Sequence, residues 1–237
     1  MTLAVATALC ASACSKDTNG PAGSDGSKKD DKSSAAAHRP EALTEAQLRA
    51  ASFTDGEAVG DYTAAEYTLD GPLGDAYTAD PAGCQPLVSL AGEVSGHDPA
   101  AQVQRRVDEP GRMLGITVDV TLRSYTNGDA ARIMKALGRA GKECAGGFTE
   151  ERALASAKYL KVEPAEIPDF ASEADGAEAF RFTVLDMKGK RKQYEYLTVV
   201  RSGPTTLAFR GEIAGAEDMG GIPQEIMTAQ WTKLRAA

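Results

Sequence analysis

The sequence predicts an α+β fold: an antiparallel sheet built from a hairpin and a three-stranded meander, with helices packed on it and one disulfide. Three observations carry this. Leu114, Ile116, Val118, Val120 and Leu122 alternate with Gly115, Thr117, Asp119, Thr121 and Arg123, the period of two of a strand with one dry face. Ala130, Ile133, Met134, Leu137, Ala140 and Cys144 then follow helical spacing. From Phe180 to Ile213 three further runs, rich in β-branched and aromatic residues, are separated by turn residues. Helices segregated from antiparallel strands define the class.

In chain order, residues 43–51 read as a short helix capped by Thr44. Glu66 to Asp70 reads as an edge strand. Cys84 to Leu90 opens a short helix with Pro86 in its first turn. Val103, Arg105 and Val107 alternate ahead of the turn Glu109-Pro110-Gly111, so 102–125 is expected to be a hairpin. The helix over 127–144 takes Asn127 as its N-cap and is stopped by Gly146-Gly147. Residues 149–162 are expected to hold another helix, with Pro164 and Pro168 breaking the chain after it. Phe180, Phe182 and Val184 open the meander, which turns at Met187-Lys188-Gly189-Lys190 and again at Ser202-Gly203-Pro204. Residues 193–201 are apolar on both faces towards their end, as in a central strand. Pro223 opens a last helix with Ile226, Met227, Trp231 and Leu234 on one face, and Lys233 and Arg235 suit the negative end of its dipole.

The composition excludes several classes. Of 237 residues, 42% are apolar, too many for a wholly disordered chain. The 26 basic and 34 acidic side chains give net charge −8, which argues against a nucleic-acid partner. No run of 18 apolar residues is present, so no ordinary membrane span is expected.

The N-terminus bears on the compartment. Residues 1–13 are apolar or small throughout, the length and character of the apolar core of a secretory signal. They end Ala11-Ser12-Ala13 before Cys14. These four residues resemble a bacterial lipobox, with Ala11 where Leu is usual. The resemblance implies cleavage before Cys14 and a diacylglyceryl thioether on that cysteine. Ala-Ser-Ala also reads as an ordinary cleavage site of a secreted protein, and the same residues could remain as an uncut tail. Residues 15–40 carry no large apolar side chain and read as a flexible tether between membrane and domain. The expected organisation is a signal at 1–13, a lipid-anchored tether at 14–40 and one domain at 41–237, on the extracytoplasmic face of the cell membrane.

Cys10 and Cys14 belong to the signal, which leaves Cys84 and Cys144. Two cysteines in an exported domain are expected to pair. Neither lies in a C-x-x-C, no His neighbours either, and a metal site would need further ligands.

The domain resembles the extracellular sensor-domain family found at the C-terminus of a mycobacterial receptor serine/threonine kinase and in free actinobacterial lipoproteins. The residues that carry the resemblance are Leu43-Thr44-Glu45-Ala46-Gln47-Leu48, Cys84, and Asn127-Gly128-Asp129-Ala130-Ala131 leading to Cys144. The strand Leu197 to Gly203 and the tail Gln230-Trp231-Thr232-Lys233-Leu234 complete the set. Members usually carry two disulfides; here one pair exists. The resemblance implies a cleft-bearing α+β domain with an extracellular ligand, and it supplies no catalytic residues.

No residue set announces chemistry. Ser95-Gly96-His97-Asp98 holds a nucleophile, a base and an acid, but neighbours on a glycine-containing turn do not converge as a triad must. The carboxylates show no calcium-loop spacing. Lys188-Gly189-Lys190-Arg191-Lys192 is the one basic cluster of an acidic domain; it reads as a charged hairpin tip, with anionic headgroups or wall polymer as the alternative. Tyr194 and Tyr196 share a strand face and could pack or line a groove. The expected function is a non-enzymatic, sensor-like binding domain without cofactor or metal, holding a small molecule, lipid or envelope component between sheet and helices. A protein–protein module or accessory subunit of an envelope complex is the alternative, and a carboxylate-based hydrolase the third class.

Overall fold

The computed structural model describes residues 41–67, 76–111, 115–152, 155–186, 188–213, 215 and 217–237. The signal segment, the tether and Cys14 lie outside these residues. So do Thr68 to Asp70 of the expected edge strand, Leu114 of the hairpin and Met187 of the meander's first turn.

The chain opens with α1 (Glu45–Ala50), where Thr44 and Gln47 form a reciprocal capping box. It continues through β1 (Ala58–Val59), β2 (Tyr62–Glu66) and β3 (Thr78–Asp80) to the short helices α2 (Gln85–Val88) and α3 (Gly92–Ser95). The hairpin β4 (Ala101–Asp108) and β5 (Ile116–Ser124) follows, then α4 (Asp129–Glu143). After it come β6 (Phe148–Glu151), β7 (Ser156–Pro164), β8 (Gly176–Leu185), β9 (Lys192–Ser202), β10 (Thr205–Ile213) and α5 (Gln224–Ala236).

These strands form one antiparallel sheet in the order β1-β2-β4-β5-β10-β9-β8-β7-β6-β3. The hairpin and the meander are therefore not separate. β10, the last strand of the meander, pairs with β5 over its whole length, Thr205↔Ser124 to Ile213↔Ile116, and makes them one ten-stranded sheet.

Three further expectations are corrected. Where a helix is expected over 149–162, the described residues 149–151 belong to β6 and 156–162 to β7. Phe148 and Glu150 face inward while Thr149 and Glu151 alternate with them, and the Phe148 ring stacks on Tyr159 at 4.3 Å. Pairing with β8 overrides the helix propensity of this Ala-containing stretch. Asn127 does not cap α4: its φ is 56°, Gly128 follows at 78°, and no side chain caps the helix. A capping acceptor needs extended backbone at that position. Of the strand expected at residues 66–70, Glu66 ends β2 and Tyr67 lies outside the strand, and β1 rather than β2 forms the sheet's edge.

Two hydrophobic layers lie on opposite faces. On the first face α1 and α5 bury Leu48, Ile226, Met227 and Trp231 against Val118, Val120, Leu207, Phe209 and Val200. On the second, α2 and α4 bury Leu87, Ile133, Met134 and Leu137 against Phe180, Phe182, Leu197 and Val199. Successive residues of β9 thus point into different layers, which explains its apolar character on both sides. Cys84 and Cys144 are disulfide-bonded, joining the entry of α2 to the end of α4 across 60 residues. α4 lies close to the sheet at Gly138 and Gly141, where an added Cβ would meet Glu178 and the Phe180 ring.

Candidate functional site

A cavity of about 370 Å³ opens on the second face, beyond the end covered by α4. The pairing register builds it. Thr117 on β5 lies opposite Glu212 on β10, and Glu212 lies opposite Glu195 on β9. Gln193, two residues along β9, pairs with Val184 on β8. Arg106, from β4, stands on one flank and Arg152, after β6, on the other.

The flanking arginines are held in place. Arg106 Nε donates to Asp119 Oδ1 at 3.1 Å and Nη2 to the Tyr67 hydroxyl at 2.8 Å, with the Tyr67 ring 4.8 Å from the guanidinium. Arg152 Nε donates to Glu150 Oε1 at 2.6 Å, and its guanidinium lies 4.9 Å from the Tyr77 ring centroid. Planar guanidinium groups stacked on rings keep other N–H groups directed elsewhere.

Beneath them runs a buried polar network. The Tyr159 hydroxyl lies 2.8 Å from Glu195 Oε2 and 3.0 Å from Glu150 Oε2. Arg210 Nη1 donates to Glu195 Oε2 at 3.2 Å, and Nη2 donates to the carbonyls of Leu87 and Val88 in α2. The Tyr159 ring is fixed by stacking on Phe148 and by an edge contact with Phe182 at 5.5 Å.

Glu195 is only 13% exposed at its side chain. Burial pushes its carboxyl up to about 7, and the charges of Glu212 and Glu150 push the same way against Arg210 and the Tyr159 hydrogen bond. One phenolic proton serves one acceptor at a time, so the Tyr159 hydroxyl donates either to Glu195 Oε2 or to Glu150 Oε2. Burial raises the Tyr159 phenol well above its ordinary range, so it stays a donor.

The sequence-predicted residues fall differently. Cys84 and Cys144 form the expected disulfide, outside the cavity lining. Ser95, His97 and Asp98 do not converge as a triad. Ser95 Oγ accepts from His97 N at 3.2 Å, and His97 Nδ1 faces Asp129 at 3.2 Å. The basic tip turns on Asp186, whose Oδ1 accepts from Lys190 N and Arg191 N. Tyr194 and Tyr196 share a face as expected, and it is the first face, where Tyr194 meets the Arg181 guanidinium at 4.4 Å and Tyr196 bonds Asp218; Tyr194 is also among the residues lining the cavity. The cleft expected between sheet and helices lies instead over bare strands, beside Arg152 and Ala155. Sequence reasoning did not single out Arg106, Arg152, Glu195 or Glu212. A signal existed for Glu195, a carboxylate inside a strand read as central.

The fold and the cavity together define a disulfide-closed antiparallel-sheet domain with a charged cavity on one sheet face. The fold is similar to that of the extracellular domain of PknH from Mycobacterium tuberculosis: 12% identity, TM-score 0.53, covering 83% of this chain and 97% of that one. A second similar structure is an uncharacterized protein of Mycobacterium smegmatis, the Rv0999 ortholog, at 14% identity and TM-score 0.39, covering 83% and 99%. No protein-family model and no curated protein matches the sequence.

Proposed function

We propose that this chain is a lipid-anchored, extracytoplasmic and non-enzymatic binding domain, sensor-like in character, which holds a small ligand in the cavity flanked by Arg106 and Arg152. The observation that carries the reading is the cavity: about 370 Å³, within the range of small-molecule sites, with convergent polar groups over a rigid sheet. The lipobox-like Ala11 to Cys14, the disulfide and the fold shared with the extracellular domain of PknH support the location. Among the described residues no helix is long and apolar enough to cross a membrane.

The first described residues of the domain lie away from the cavity. Leu43 N donates to Ser124 Oγ, at the end of β5 opposite Thr117. Seven residues of strand put the chain's entry about 24 Å from the cavity. The protein–protein alternative has less support: among the described residues only Ile167 and Met219 are exposed large apolar side chains.

Native mass spectrometry of the full chain, exported in an actinobacterial host, tests the reading. A discrete adduct lost on denaturation is expected, together with a lipid-modified Cys14 at the mature N-terminus. A chain that carries no adduct, and takes up no small molecule when offered extracts of that host, refutes the binding role. An unmodified Cys14 refutes the anchor.

A further inference from the structure

If the cavity is a ligand site, as proposed, its chemistry narrows the ligand. We infer that the cavity takes a small zwitterion carrying a protonated primary amine, the amine seated between the cross-strand carboxylates Glu195 and Glu212 and the anionic end directed at a flanking guanidinium, Arg106 or Arg152.

The argument starts from the register. Glu195 and Glu212 are directly opposed on β9 and β10, on the same face. Like charges so placed destabilise a sheet. Two neighbouring carboxylates have a cation of their own: Asp119 has Arg106, and Glu150 has Arg152. Arg210 is shared between Glu195 and the α2 carbonyls. Arg210, drawn to the α2 carbonyls as well, only partly offsets the Glu195–Glu212 pair, and a further positive group there relieves their repulsion. At low pH it is the proton on Glu195; at higher pH a ligand cation takes its place.

The geometry favours an amine over the other cations. Among the described residues no group of three or more His, Cys, Asp or Glu side chains is placed to hold a metal ion. The contacts to Glu195 from Tyr159 and Arg210 both use Oε2, which leaves Oε1 for a donor. Glu212 is exposed, so an amine reaches both carboxylates from solvent. The guanidiniums stand on both flanks rather than on the floor. A plain anion would meet the carboxylates first; a plain diamine would leave its second charge near an arginine. A molecule with an amine and a carboxylate or phosphate meets both sets.

The experiment is isothermal titration calorimetry of the full chain with three probes of matched length: 5-aminopentanoate, 1,5-diaminopentane and glutarate. The amino acid is expected to bind best and glutarate least. Glu212→Gln, an exposed and conservative change, is expected to weaken 5-aminopentanoate by about tenfold or more. Its affinity is also expected to rise several-fold between about pH 6 and pH 8, as Glu195 gives up its proton beside Glu212, Glu150, Arg210, Arg152 and Tyr159. Glutarate binding as well as 5-aminopentanoate, 5-aminopentanoate unaffected by Glu212→Gln, or silence from both amines overturns the inference. A native adduct together with silent amines discards only this ligand class. A chain that takes up neither adduct nor probe discards the binding role as well.

Discussion

Glu195 makes the stability of this domain depend on pH in a direction opposite to the usual carboxylate. The perturbation is Glu195→Gln, a neutral isostere that can still accept from Arg210 and Tyr159. In the folded chain burial and the facing Glu212 hold the carboxyl at about 7, against 4.5 for a solvated glutamate. Between those values the folded state binds a proton that the unfolded state does not. Stability is therefore highest on the acidic side and falls as pH rises from about 5 to 7, by up to about 1.4 kcal/mol per unit. The whole excursion is on the order of 3 kcal/mol. Above about pH 7 both states are ionised and the effect levels off. Glu57, Glu163, Asp186 and Asp218 are shifted downward instead, so their contributions are lost only as pH falls into the acid range below this window. The difference between wild type and variant isolates Glu195. Urea unfolding at four values between about pH 5 and pH 8 is the assay. The wild type should lose stability across the window while Glu195→Gln stays flatter and overtakes it near neutrality. Equal slopes for the two proteins would refute a buried Glu195 whose carboxyl is raised in the folded chain.

Replacing Cys84 and Cys144 by Ser opens a loop of 60 residues and should cost about 4 kcal/mol by the chain-entropy model, read as a lower urea midpoint. Gly147→Ala should cost at least about 2 kcal/mol, because the backbone is at φ 99° and the new Cβ would lie 2.2 Å from the Tyr159 carbonyl oxygen; an unchanged thermal midpoint would contradict this. Gln230→Leu should cost about 3 kcal/mol, since this fully buried amide accepts from Phe53 N and donates to Ala51 O, and both backbone groups would lose their partner. Faster amide exchange at Phe53 would locate that loss.

The legible parts of the fold are those in which local pattern and tertiary role agree. β5 alternates because its first face is dry and its second carries Thr117, Asp119 and Arg123. α1 announces itself through Thr44 and Gln47, and α5 through Ile226, Met227, Trp231 and Leu234. β6 and β7 were not legible because their inward residues, Phe148, Glu150, Tyr159 and Val162, mix apolar and charged groups and include a register shift between Tyr159 and Lys161. The disulfide was legible from cysteine count alone. The cavity was not, since its charged residues come from β4, β9, β10 and the residue just beyond β6, and only the register brings them together.

That register also explains why the cavity lies where it does. The helices cover the first face over one part of the sheet and the second face over another, so β9 and β10, in the middle, are buried on both sides for much of their length. Where cover on the second face ends, the strands continue with none of the described helices above them. Residues there cannot be apolar without exposing a patch, and residues a few positions along the same strands cannot be solvated. Glu195 sits on that boundary: Leu197 and Val199 on its strand face the α2–α4 layer, while Gln193 lines the cavity. A carboxylate at such a boundary is largely desolvated and meets other charges through a low dielectric, which strengthens both its repulsion from Glu212 and its response to an incoming cation. The swap of helical cover thus does more than bury two cores. It creates, at the edge of one of them, a place where charge is costly when alone and strongly attracted when matched.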